Sequence, residues 1–182
     1  MPAAKKTSTK SSTKSSTASE KTSTKSSSQD AIKLLTADHN EVKALFKEYE
    51  QLVEADASDD EKQNIALTIC QMLTVHAQIE EEIFYPAARE VLDEQDLVDE
   101  ADIEHASAKD LIAQIESSDP SDDHYDAKVK VLGEYIDHHV KEEQNELFKE
   151  VKKAGLDTAA IGEQLATRKQ ELMAELGMTA EA

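Results

Sequence analysis

The chain has 182 residues with a net charge of −19, 38% hydrophobic residues, 4 glycines, 3 prolines and a single cysteine, Cys70. That is one domain's length, with too few turn formers for a sandwich or barrel, no run of the ~20 apolar residues that span a bilayer, and no apolar stretch after the N-terminal lysines to serve as an export signal. One thiol excludes an internal disulfide framework and a multi-thiolate zinc or iron–sulfur site, which together point to a soluble, cytoplasmic protein.

Residues 1–28 contain six lysines, one glutamate and otherwise almost only Ser, Thr and Ala. With no apolar side chains to bury, this basic tail is expected to be disordered, and its spread lysines offer nucleic acid at most a weak, sequence-independent contact. From residue 29 onward 14 basic residues face 38 acidic ones, a net −24. The first helix is expected over Asp30–Glu54, where Ile32, Leu35, Val42, Leu45, Phe46, Tyr49 and Leu52 recur at three- and four-residue steps, with Thr36 and Asp38 marking a possible break into two helices. Ser58 and Glu61 form a capping box that opens the second helix, carried by Ile65, Ile69, Met72, Leu73, Ile79 and Ile83 and expected to kink or end at Pro86. The third runs from Asp96 to Glu116. Ser118, Asp119 and Pro120 then give a stop and restart, with the proline suited to the first turn of a fourth helix that ends at Gly155. A fifth helix covers Thr158–Leu176. The pattern predicts an all-α fold, an up-down-up-down antiparallel four-helix bundle over residues 29–155, with residues 156–182 as an additional C-terminal helix and tail.

A duplication underlies the bundle. Asp38-His39 with Leu45-Phe46 recurs at an offset of 66 as Glu104-His105 with Leu111-Ile112, and His76, Glu80, Phe84 and Tyr85 recur at an offset of 63 as His139, Glu143, Leu147 and Phe148. Each helical hairpin thus supplies one His from its first helix and a His-x-x-x-Glu pair, four residues apart on one face, from its second. Both pairs interrupt apolar stripes, where an unpaired carboxylate costs several kcal/mol, roughly, unless it is protonated, salt-bridged or bound to a cation. Four imidazoles and two carboxylates inside a bundle suit iron, manganese or zinc, and two carboxylates that bridge suit a pair of metals better than one. His138, out of phase with the stripe by one residue, reads as a surface group or a support behind a metal ligand, His124 among Asp122, Asp123 and Asp126 as solvated, Cys70 as a buried thiol, and Tyr49, Tyr85 and Tyr135 as core aromatics, one of them a candidate hydrogen-bond donor near a metal.

These motifs, with HAQIEEEIFYP over His76–Pro86 and HVKEEQNELF over His139–Phe148, resemble the hemerythrin-like, or HHE cation-binding, family from about Ala31 to Gly155. The resemblance implies a non-haem di-iron centre, oxo- or hydroxo-bridged, with His39 and His76 on one iron, His105 and His139 on the other, and Glu80 and Glu143 bridging them. Manganese and zinc remain alternatives. The sequence departs from the oxygen carriers of that family at Lys109, where they place a second imidazole, and at Glu143, where they place an aspartate one residue later. One iron is then more open or is completed by solvent or another carboxylate, which favours reaction with oxygen, peroxide or nitric oxide over reversible oxygen carriage. Three functions follow as expectations: a protein that senses, scavenges or stores such a ligand or iron; a di-iron enzyme that decomposes peroxide; or a metal-free helical interaction module whose tail touches nucleic acid.

Overall fold

The structure, a computed structural model, describes residues 30–178; the lysine-rich tail lies outside them. The described residues form helices only: α1 (Ala31–Glu54), α2 (Asp59–Ile79), a π turn π1 (Glu80–Phe84), α3 (Tyr85–Val91), α4 (Asp96–Glu116), α5 (Tyr125–Glu142), a second π turn π2 (Glu143–Leu147), α6 (Phe148–Ala154) and α7 (Thr158–Glu175). Because α2, π1 and α3 run on as one rod, and α5, π2 and α6 as another, the chain makes four long helices in an antiparallel bundle with α7 packed outside against α1, α2 and π1.

Each start has a local cause. The Asp30 carboxylate accepts from the Lys33 amide at 3.0 Å, and its other oxygen accepts from the Thr158 hydroxyl at 2.6 Å, which ties the starts of α1 and α7 together. Ser58 and Glu61 close the capping box expected at α2. Asp157 caps α7, and Gly155 ends α6 with a left-handed φ of 89°, a conformation glycine takes without steric cost. Gly133 serves close approach instead: a Cβ there would lie 3.0 Å from the Phe46 ring, so a side chain at that point would press the ring aside where α5 meets α1.

Three local expectations are corrected. α1 runs unbroken through Thr36 and Asp38. Pro86 does not end its helix; it follows directly on π1, and the rod continues to Val91. Pro120 lies in the irregular link 117–124, ahead of α5, which starts at Tyr125.

Two apolar clusters fill the bundle. One gathers Leu35, Ile79, Phe84, Tyr85, Phe148, Val151 and, from α7, Leu165 and Leu172. The other, at the opposite end, holds Tyr49, Ile69, Cys70, Ile115, Tyr125 and Leu132. Burial pushes the Cys70 thiol up to about 12, which makes it an inert packing residue. Tyr49 is buried with its hydroxyl on Asp126 at 2.6 Å, whereas Tyr135 is 41% exposed and does not join the core. Along each rod the two clusters are separated by a layer of buried polar side chains.

Candidate metal centre

That layer is Asp38, His39, His76, Glu80, His105, His139 and Glu143, all less than 9% exposed, with Glu80 at 0%. Each helix of the bundle sends in one imidazole, and the two rods add their carboxylates where α geometry gives way to π geometry. Both π turns begin at these glutamates, with the Tyr85 N–H bonded to the Glu80 carbonyl and the Phe148 N–H to the Glu143 carbonyl. Such turns insert one residue into a helix and re-aim the side chains that follow, a device frequent at functional sites.

The four Nε2 atoms face inward. His39 and His76 approach at 2.9 Å, His105 and His139 at 3.3 Å. The Glu80 carboxylate lies between the two pairs, 3.2 Å from His76 and 3.4 Å from His105, while Glu143 lies 3.3 Å from His39. Donor atoms fall into one set of four, His39, His76, Glu80 and Glu143, and one of three, Glu80, His105 and His139. The structure therefore brings together all six residues singled out in the sequence. It places Glu80 alone in both sets and groups Glu143 with the His39 and His76 pair.

The outward ring nitrogens have partners of their own. His139 Nδ1 donates to Glu104 at 2.7 Å, His105 Nδ1 donates to Glu81 at 3.0 Å, and the Gln144 amide lies 2.9 Å from His39 Nδ1. Asp38 stands 3.5 Å from His76 Nδ1 and is itself held by Lys169 of α7 at 2.5 Å. At His105 and His139 a proton on Nδ1, facing a carboxylate, leaves the Nε2 lone pair pointing into the centre, whereas His39 Nδ1 accepts from the Gln144 amide. Lys109 turns outward to Glu81, 2.6 Å away, and does not approach the imidazoles. The Tyr85 hydroxyl reaches the layer, 3.2 Å from His105 Nε2, 3.4 Å from Glu143 and 3.5 Å from Glu80. Of the three tyrosines considered in the sequence, Tyr85 is the one at the site. Its position in the repeat, opposite Phe148, was the available signal. His138 and His124 are exposed at the surface, with side chains 63% and 81% accessible.

A cavity of about 500 Å³ reaches all four imidazoles and is walled by apolar residues such as Val42, Leu73, Ile112 and Ile136. The cavity therefore meets the polar layer on its imidazole side.

The Hemerythrin HHE cation binding domain model matches residues 30–151. The chain belongs to the hemerythrin HHE cation-binding family. Among curated relatives of this HHE chain is a DNA nickase of Nostoc sp. strain PCC 7120, 35% identical over 121 residues, which are 66% of this chain and 32% of the relative; the chain spans about a third of that protein's length. Among solved structures, a hemerythrin HHE cation binding domain-containing protein of Mycobacterium kansasii shares the fold with a TM-score of 0.67 at 18% identity, over 80% of this chain and 88% of that one. No helix among the described residues of the HHE chain is long and apolar enough to cross a membrane.

The donor set fits a cation on internal evidence. Glu80 Oε1 and Glu143 Oε2 are buried without a hydrogen-bond partner, and no lysine or arginine of the described residues pairs with either carboxylate. Two carboxylates in a dry layer repel one another unless positive charge is shared between them. Burial, then the neighbouring Glu143 charge, drives the Glu80 carboxyl well above its ordinary range. Glu143 is also disfavoured by burial, but hydrogen bonding to His39 and the nearby imidazoles outweigh this and bring it to about 2. Burial drops His76 to about 4, so it is neutral and available as a ligand at neutral pH.

These shifts set the acid limb of the metal-free protein. Between pH 6.5 and 4.5 the unfolded chain takes up a proton at His76 that the folded one refuses, which costs stability, while the raised pKa of folded Glu80 makes its penalty relative to the unfolded chain shrink as pH falls towards 4.5. The two oppose each other. Below about 4.5, Glu143 and Glu81, both held near 2, keep their charge when the unfolded chain loses it, so their contribution disappears as pH falls from 4.5 towards 2. In chelator, the melting temperature is expected to change little from pH 6.5 to 4.5 and to fall steeply below. A steep fall that begins near 6.5 would show His76 acting without the compensation of Glu80.

Proposed function

We propose that this HHE protein holds a non-haem di-iron centre that handles a small oxidant or gas, such as oxygen, peroxide or nitric oxide, rather than carrying oxygen reversibly. One observation supports this above the rest: two inward imidazole pairs straddle Glu80, whose partnerless buried oxygen, like that of Glu143, calls for positive charge. His39, His76, Glu80 and Glu143 would hold one iron, and Glu80, His105 and His139 the other. The nitrogen and carboxylate donors suit iron. When bound, the pair of irons supplies the redox chemistry.

The protein's own residues do the rest. Glu104, Glu81, Asp38 and Gln144 orient the imidazoles, and Phe84, Tyr85 and Phe148 close the carboxylate side to water. The Tyr85 hydroxyl carries a proton at the centre, because burial and then the Glu80 and Glu143 charges push its pKa well above the usual value. The smaller donor set around His105 and His139, with Lys109 drawn off to Glu81, supports an open position there and hence reactivity. Scavenging, sensing and turnover of peroxide share every one of these residues.

Nucleic acid has no part in this proposal. A net −24 on residues 29–182 repels a polyanion, and the matched segment makes up 32% of the nickase whose name this is.

The test is elemental analysis of protein reconstituted anaerobically with ferrous iron, followed by absorbance on mixing with oxygen and then on removing it. About two irons per chain and an oxidation that deoxygenation does not reverse are expected. One metal or none per chain would overturn the di-iron assignment. Full return of the ferrous protein on deoxygenation would replace reactivity with carriage.

A further inference from the structure

Outside the buried layer, the described residues contain one further group of metal-type donors: Glu104 of α4 with His138 and Glu142 of α5. His138 Nε2 lies 3.3 Å from a Glu142 oxygen, one helical turn away, and 3.7 Å from Glu104 Oε1. Ligand atoms around a tetrahedral ion with bonds of about 2.1 Å sit roughly 3.4 Å apart, so the three donors need only small side-chain adjustments to share one ion. Side-chain exposure of 63% at His138 and 36% at Glu142 leaves the remaining positions to water.

The internal repeat says what belongs there. Glu104 is the counterpart of Asp38, 66 residues earlier, and both carboxylates stand behind an inward imidazole: Asp38 behind His76, Glu104 behind His139. On the Asp38 side the second oxygen faces a cation built into the chain, the Lys169 ammonium of α7. α7 packs on α1, α2 and π1, so its lysine serves only the first hairpin. Glu104 Oε1 has no lysine or arginine within ion-pair distance among the described residues; it faces His138 instead, with Glu142 beside it. Where the first hairpin sets a lysine against its carboxylate, the second sets an imidazole and a further carboxylate.

We infer that Glu104, His138 and Glu142 bind an exchangeable first-row divalent transition cation at the protein surface, one carboxylate away from His139. An imidazole and two carboxylates in a half-open geometry suit zinc, manganese or ferrous iron, and two negative charges match a divalent ion. With that ion in place both hairpins have one plan: inner imidazole, carboxylate, outer cation. Glu104 is the shared element, since one oxygen accepts from His139 Nδ1 at 2.7 Å and the other faces the surface ion. The inference holds whichever metal occupies the inner residues.

The test uses the full chain with its inner metal in place, titrated with Zn²⁺ and followed by calorimetry, with the inner metal counted by elemental analysis before and after. Wild-type protein is expected to take up one additional zinc per chain with the inner metal retained. His138→Ala and Glu142→Gln, both at exposed positions, are expected to weaken that uptake at least tenfold at unchanged inner metal, and His124→Ala, a distant exposed imidazole, to leave it intact. Equal zinc affinity in wild type, His138→Ala and Glu142→Gln would overturn the site, as would zinc uptake matched by release of the inner metal. An inner centre that fails to hold two irons would count against the proposed function alone, because the zinc difference between wild type and His138→Ala is read against whatever that centre contains.

Discussion

Replacing Glu80 with leucine is expected to strip the HHE protein of most of its metal and, in the metal-free state, to make it more stable. The two effects have one cause. Glu80 is fully buried, its Oε1 has no partner, and its other oxygen has only His76, His105 and the Tyr85 hydroxyl around it, with the Glu143 carboxylate nearby. Without a cation it is an ionisable group held in an apolar bundle against its solvation, and an apolar residue of similar size removes that burial cost, roughly a few kcal/mol for a buried polar group with an unpaired oxygen. With a cation it is the one carboxylate that belongs to both donor sets, so neither imidazole pair keeps an oxygen bridge to the other without it. Elemental analysis should find a small fraction of the wild-type metal in Glu80→Leu. Melting in chelator should show a rise of a few degrees, since each kcal/mol moves Tm by about 2–4 °C for a domain of this size. Glu143→Leu is expected to lose metal too, but chiefly from the His39 and His76 side. Wild-type metal content in Glu80→Leu would remove Glu80 from the centre.

The second large effect concerns α7, which lies beyond the matched family segment ending at residue 151. Leu165 is fully buried in the same apolar cluster as Leu35, Val75, Ile79 and Phe84, directly behind the carboxylate side of the centre. Leu165→Ala is expected to cost about 2–5 kcal/mol, the transfer term plus the cavity left among side chains that cannot collapse onto it, or on the order of 10 °C in Tm. Ile103→Ala, at a position 70% exposed on α4, should lie within about 0.5 kcal/mol of wild type. Thermal denaturation of the three proteins decides it. A Leu165→Ala variant that melts with wild type would make α7 a loosely attached appendage, and the Lys169 to Asp38 contact would then have no fixed anchor.

Much of this protein was open to reading from the residues in order. Helix-period spacing of Ile32, Leu35, Val42 and Tyr49, the Ser58 capping box and Gly155 are local signals, and the helices stand where those signals put them because each depends on neighbours within a turn or two. The matched offsets likewise singled out His39, His76, Glu80, His105, His139 and Glu143, since polar residues that recur on an apolar stripe must share a depth in the bundle. The tyrosines were less legible. On an α-helix Tyr85 would sit about 140° around the axis from Glu80, yet π1 adds a residue to the turn and the hydroxyl comes within 3.5 Å of that carboxylate. Tyr135, read as core on the same kind of evidence, faces solvent.

What only the tertiary structure decided are the relations between side chains far apart in the chain. Lys169 reaches Asp38 across 131 residues and Gln144 reaches His39 across 105. That Glu80 belongs to both donor sets while Glu143 belongs to one, and that Lys109 turns out to Glu81, are of the same kind. The physical reason is one of range. A helical period specifies which face a residue lies on to within tens of degrees, whereas hydrogen bonds and ligand sets are decided by a few tenths of an ångström between helices, and that distance is set by how Phe46 meets Gly133, how the π turns re-aim their rods and how α7 seats on the bundle.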